Sequence, residues 1–213
     1  MGFWSSVGSI VSSTFSAIGG LAASVASTVI KVATSAEVWQ SLGSVVKAVG
    51  SVLGVIPSNQ TAEKYGERVL SAGAEGITSD SFDSYHEYIA AIRDFELKPE
   101  LADRWSKEEK IAASAGVVAE GLTELKGFSL NSALSLMILA AQHPTFFNAE
   151  RVLTLLGKTN DFSLIADYFR DDLDLHDEKK VEALLVDSEQ GQVEARAPED
   201  VTATLRQLRA EAE

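Results

Sequence analysis

Every seventh residue from Trp4 to Leu53 is a large apolar side chain: Trp4, Val11, Ile18, Val25, Val32, Trp39, Val46 and Leu53. A seven-residue spacing is close to two turns of an α-helix, so these side chains form one slowly drifting line along helices. Val7, Leu21, Leu42, Val49 and Ile56 add a second row, interrupted by Thr14, Thr28 and Ser35. The two rows make a single stripe at a/d-like spacing. The reverse face is Ser, Gly, Ala and Thr, and the first charged side chain is Lys31. The pattern predicts helices, and a stripe that something else must cover.

Propensity sharpens the point. In a helix Ser costs roughly 0.5 and Gly about 1 kcal/mol relative to Ala, on the order of 10 kcal/mol over this region. Helices so composed are not stable alone in water. Burial of each large stripe residue returns about 1.5–3 kcal/mol. Breaks are expected at Gly19-Gly20 and near Gly43, giving two or three helices. Gly8-Ser9-Ile10-Val11, Gly43-Ser44-Val45-Val46 and Gly50-Ser51-Val52-Leu53 repeat at multiples of seven, which suggests internal repetition.

Charge divides the chain. Residues 1–58 hold Lys31, Lys47 and Glu37 only, a net +1, so the rest of a chain at −13 carries −14. No basic stripe offsets this acidity, which argues against a nucleic-acid partner. The absence of cysteine excludes disulfides, thiolate nucleophiles and Cys-ligated zinc. No basic segment precedes the apolar stretch, so no classical signal peptide is expected. That leaves the compartment open between the cytoplasm and an exported or assembled particle.

Pro57-Ser58-Asn59-Gln60 ends the neutral region, and ordinary amphipathic helices follow. They are expected at 61–74, 82–95, 107–125, 130–141, 148–156, 162–172 and 177–187. Ser106-Lys107-Glu108-Glu109 reads as a capping box and Gly127 as its helix's stop. Ile111, Ala115, Val118, Leu122 and Leu125 would be that helix's inner face. Residues 130–141, apolar nearly all round, are expected to be the central buried helix. Ser188 to Ala197 reads as a polar linker, and Pro198 opens a short last helix with Val201, Leu205 and Leu208 inward. The fold class is all-α: Ser/Gly/Ala-rich amphipathic helices over 1–58, an acidic helical bundle over 59–190, then a linker and short helix over 191–213.

Chemistry is sparse. Asp171-Asp172-Leu173-Asp174-Leu175-His176-Asp177-Glu178 is oxygen-rich but lacks the glycine and spacing of a calcium loop, so helix-end roles are favoured. His86 has no second catalytic partner in sight, and His143 precedes Pro144 at a helix end. There is no Gly-x-Ser-x-Gly elbow, phosphate loop, dinucleotide fingerprint or His-Glu-x-x-His pair. No catalytic residue, cofactor or metal ligand is assigned, and the chain reads as a non-enzymatic protein.

Three things can cover the stripe: the acidic body, a membrane surface, or another copy. The uncharged reverse face favours another copy, because small residues let a second helix approach from behind. The expectation is therefore a structural protein that self-assembles into a homo-oligomer, filament or particle. Its contact face would be the eight stripe residues, with Gly19, Gly20, Gly43, Gly50 and Gly54 permitting close helix packing. The alternative is a membrane-interacting or inserting protein using residues 2–56. That region resembles lipid-packing sensor helices in its bulky apolar face, its Ser/Thr/Gly face and its few charges. Gly50-Ser51-Val52-Leu53-Gly54 also fits the small-xxx-small pattern.

Overall fold

The structure is a computed structural model that describes residues 14–98, 101 and 104–210; the side chains of 190 and 191 are left aside. All regular structure among them is helical. We number ten α-helices: α1 (Gly20–Val32), α2 (Ala36–Val52), α3 (Ala62–Ala74), α4 (Tyr85–Asp94), α5 (Lys107–Lys126), α6 (Leu130–Gln142), α7 (Ala149–Leu156), α8 (Phe162–Phe169), α9 (Leu175–Asp187) and α10 (Pro198–Ala210). Short 3-10 turns lie at Ser79–Ser81 and Ser188–Gly191.

The caps follow the local sequence. The Ser106 hydroxyl accepts from the Glu109 amide while the Glu109 carboxylate accepts from the Ser106 amide, the reciprocal box that starts α5. Gly127 ends α5 in the left-handed conformation. Thr61, Ser84, Ser129, Asn148 and Asp174 cap α3, α4, α6, α7 and α9 in the same side-chain-to-amide manner.

The central helix is α5, where the sequence suggested residues 130–141. Every residue from Lys110 to Leu122 is buried. Its neighbours are α1, α2, α3 and α6. By contrast α6 leaves Leu130 and Asn131 exposed and packs on α5, α1, α2 and α8. Small residues explain the difference. Ala112, Ala113, Ser114, Ala115 and Gly116 give α5 no marked apolar face, but they let backbones come close from several sides. A Cβ on Gly116 would collide with the Ala22 carbonyl of α1, and one on Gly66 of α3 with the Lys110 carbonyl. Gly73 likewise abuts the Ala17 carbonyl.

One core spans the composition break at Pro57. Ile18, Ala22, Val25 and Val29 from its N-terminal side and Tyr65, Val69 and Leu70 from the other bury into the same apolar cluster around α5. The sequence break corresponds to the turn between α2 and α3. The first helix break falls at Gly19–Gly20, where both residues have positive φ. The second falls at Ala33–Ser35, where Ser35 caps α2. Gly43 lies inside α2 and breaks nothing.

The C-terminal helices attach differently. The segment read as a polar linker holds Ser188 and Glu189, both buried. The Glu189 carboxylate takes hydrogen bonds from the Arg151 side chain at 2.5 Å and from the backbone amide and Nε of Arg196 at 3.0 and 3.1 Å. The Arg151 guanidinium lies 4.0 Å from the centre of the Phe146 ring. In α10, Val201 and Leu205 are buried, while Arg209 pairs with Asp171 and Glu178 and lies over the Tyr168 ring.

Candidate contact surfaces

The stripe is covered by this chain itself. Ile18, Val25 and Val46 are fully buried and Trp39 is 5% exposed; Val32 and Leu53 are half-buried against the same cluster. Trp4 and Val11 lie outside the described residues. From Ile18 onward, α5 and its neighbours supply the apolar partner that the sequence required. That leaves Ile18, Val25, Trp39 and Val46 no open face for a second copy or a lipid surface while α1 and α2 stay seated.

The five marked glycines divide by role. Gly50 packs closely: a Cβ there would lie 2.7 Å from Ile56 and 2.9 Å from Val118. A Cβ on Gly43 would meet Ile111 at an ordinary 3.5 Å, so Gly43 is not needed for close approach. Gly54 has nothing near it, and serves the turn after α2. Gly19 and Gly20 serve the turn into α1, against Thr78, Ser79 and Asp80. The three tightest approaches, at Gly66, Gly73 and Gly116, escaped the sequence reading because no apolar periodicity marks them.

The acidic run 171–178 is spent on caps and ion pairs. Asp174 accepts from the His176 and Asp177 amides at 2.9 Å each. Asp171 and Glu178 hold Arg209, Asp172 holds Arg170, and Asp177 holds Lys180. Among the described residues no group of three His, Cys, Asp or Glu side chains could hold a metal ion. His86 is exposed on α4, while the His143 ring stacks on Phe169 with centroids 4.7 Å apart.

An open cleft of about 1310 Å³ lies where α1, α6, α8 and α10 end. Val32, Val38, Ile138, Leu139 and Phe169 supply its apolar lining, and Arg170, Arg206 and Arg209 its cations. Two of those arginines are already paired, with Asp167 and Asp172 and with Asp171 and Glu178.

A second polar group is buried. Glu120 of α5 is 7% exposed, and its Oε2 has no hydrogen-bond partner. Burial pushes its carboxyl up to about 7; the Ser79 hydroxyl opposes this, while Glu124 and Asp80 add to it. Tyr85 donates to the Val117 carbonyl at 2.6 Å. The hydroxyls of Tyr65 and Tyr88, both fully buried, have no partner. Burial raises all three phenols well above their ordinary value.

These surfaces define a class no finer than an all-helical bundle with a small-residue central helix. Compared with known proteins, the chain matches no family model, no curated protein and no solved structure.

Proposed function

We propose that this is a non-enzymatic interaction protein that associates with copies of itself through its N-terminal region, and that the contact is carried ahead of Thr14. The observation behind this reading is the internal burial of the stripe from Ile18 onward. Trp4, Val7 and Val11 continue the same spacing in a run without charge, and they lie outside the described residues. A self-complementary apolar segment on a body carrying strong negative charge is compatible with ordered association. The bodies repel, the neutral segments pack, and the acidic surfaces remain towards solvent.

The test is light scattering on the full chain and on a chain starting at Thr14, in buffer without lipid. Oligomers or particles are expected from the first and folded monomers from the second. A monomeric full chain overturns the reading. Membrane contact is the second reading, favoured by the absence of any charged residue from 1 to 30. No helix among the described residues is long and apolar enough to cross a bilayer. Flotation of the full chain with neutral vesicles, lost in the Thr14 chain and unchanged by salt, would select it.

A further inference from the structure

We propose that the cleft where α1, α6, α8 and α10 end binds a free single-chain amphiphile with one negative charge, of the fatty-acid class. The cleft has a volume of about 1310 Å³, ample for such a chain, since small-molecule pockets commonly span about 300–1,000 Å³. Its lining is divided by element. The residues supplied by α1, α2 and α6 include no Asp, Glu, Lys or Arg. The charged ones, Arg170, Asp171, Asp172, Arg206 and Arg209, come from α10 and the turn after α8. An apolar tail and a charged head would therefore meet different parts of the fold.

The apolar part is short of cover. Val32, Val38 and Ile138 line the cleft and are only half-buried, so each leaves aliphatic surface in water. Leu139 and Phe169 complete the wall and are buried in the core. An alkyl chain laid against these residues would remove their open surface from water, and the release is non-directional, so it suits a flexible chain.

The charged part selects the head group. Arg170 is paired with Asp167 and Asp172, and Arg209 with Asp171 and Glu178. Asp167 and Glu178 do not line the cleft, so its lining sets three guanidinium groups against two carboxylates. Arg206 is exposed and has no ion pair among the described residues. A carboxylate head can take two parallel hydrogen bonds from the Arg206 fork without disturbing either existing cluster. A cationic head would have to break into one of them. A second copy is the poorer occupant, because it would press two bodies of −13 together.

The experiment titrates the full chain with decanoate, decanol and decyltrimethylammonium, each below its micelle concentration, by isothermal calorimetry near neutral pH. Decanoate should bind saturably, one per chain, and about tenfold or more tighter than decyltrimethylammonium. Arg206→Glu should weaken decanoate by about tenfold or more and leave decanol unchanged. Val38→Trp, which fills the apolar wall, should abolish binding of decanoate and decanol alike. If Val38→Trp fails to fold, the exposed Arg206→Glu change decides the matter. Equal binding of the anionic and cationic probes, or decanoate binding that ignores Arg206→Glu, overturns the proposal. So does the absence of saturable binding to the folded chain; a shift in oligomeric state with Val38→Trp would then assign the cleft to a second copy. Binding to phosphatidylcholine vesicles with none to monomeric decanoate also overturns it, and makes the cleft a bilayer contact.

Discussion

The two ends of the described chain are fastened to the bundle by opposite means. At the N-terminal end, α1 and α2 contribute no ion pair among the described residues, and hold to α5 through Val25, Val29, Leu42, Val46 and Val49. At the C-terminal end, α10 buries only Val201 and Leu205, and the region is tied by Arg151, Glu189, Arg196 and Arg209. The first kind of attachment is non-directional and nearly indifferent to salt; its strength scales with apolar area and closeness of approach. The second depends on charge state and on every partner being present. From Ile18 onward the uncharged stripe thus needs no outside partner: a small-residue helix of the same chain covers it.

The comparison breaks most severely at Val25. Val25→Asp puts an unpaired charge at a fully buried position facing α5, at a cost of several kcal/mol. Against a total stability of about 5–15 kcal/mol this should unfold the whole bundle, because α1 and α3 share the core. Far-ultraviolet circular dichroism should show lost helix and a collapsed thermal transition. A folded, soluble Val25→Asp protein would mean that α1 is dispensable to the core, and that the stripe is free to serve another partner.

A smaller, local effect is expected at the other end. Arg151→Ala leaves the Glu189 carboxylate buried with only Arg196 opposite, and should cost roughly 3–5 kcal/mol. Hydrogen exchange should rise in α9, in α10 and in the segment between them, while α1 and α5 stay protected. Acid should mimic the change. Burial alone would raise the Glu189 carboxyl, but hydrogen bonds from Arg196 and Arg151 outweigh it and hold it down at about 2. A depressed carboxyl contributes stability above its ordinary 4.5 and loses it as pH falls towards 2. The C-terminal end should therefore loosen in acid, while the uncharged attachment of α1 and α2 should not. If α1 opens before α10 on acidification, the assignment of the two attachments is reversed.

What could be read in advance divides along the same line. The helices were legible because caps and periodicity are local: Ser106 to Glu109, Gly127 and Pro198 each act within a few residues of their own helix. The need for cover over Val25 and Val46 was legible too, from their spacing. The identity of the cover was not. An Ala/Gly/Ser helix such as α5 shows almost no apolar face, so its burial on all sides has no periodic signature, whereas 130–141 looked buried by composition alone. The ion pair from Arg151 to Glu189 joins residues 38 positions apart, one of them in a segment that reads as linker. No local pattern connects them, because the pairing is decided by how α7 packs on the Ser188–Gly191 turn that follows α9.

The finest distinction concerns two glycines seven residues apart on α2, which share a helical face and a recurring motif. At Gly50 a methyl group would press on Ile56 and Val118, both buried, at under 3 Å. At Gly43 the nearest atom is the end of Ile111 at 3.5 Å, an ordinary contact. Ala is a better helix former than Gly by about 1 kcal/mol. Gly43→Ala should therefore keep most of that gain and raise the melting temperature by a few degrees. Gly50→Ala must first displace Ile56 or Val118, and overpacking of this kind costs about 1–3 kcal/mol, enough to reverse the sign. Thermal melts of the two variants side by side separate them. Equal shifts in the same direction would mean that α2 does not approach α5 closely at Gly50, and that the repeated motif reflects helix register alone.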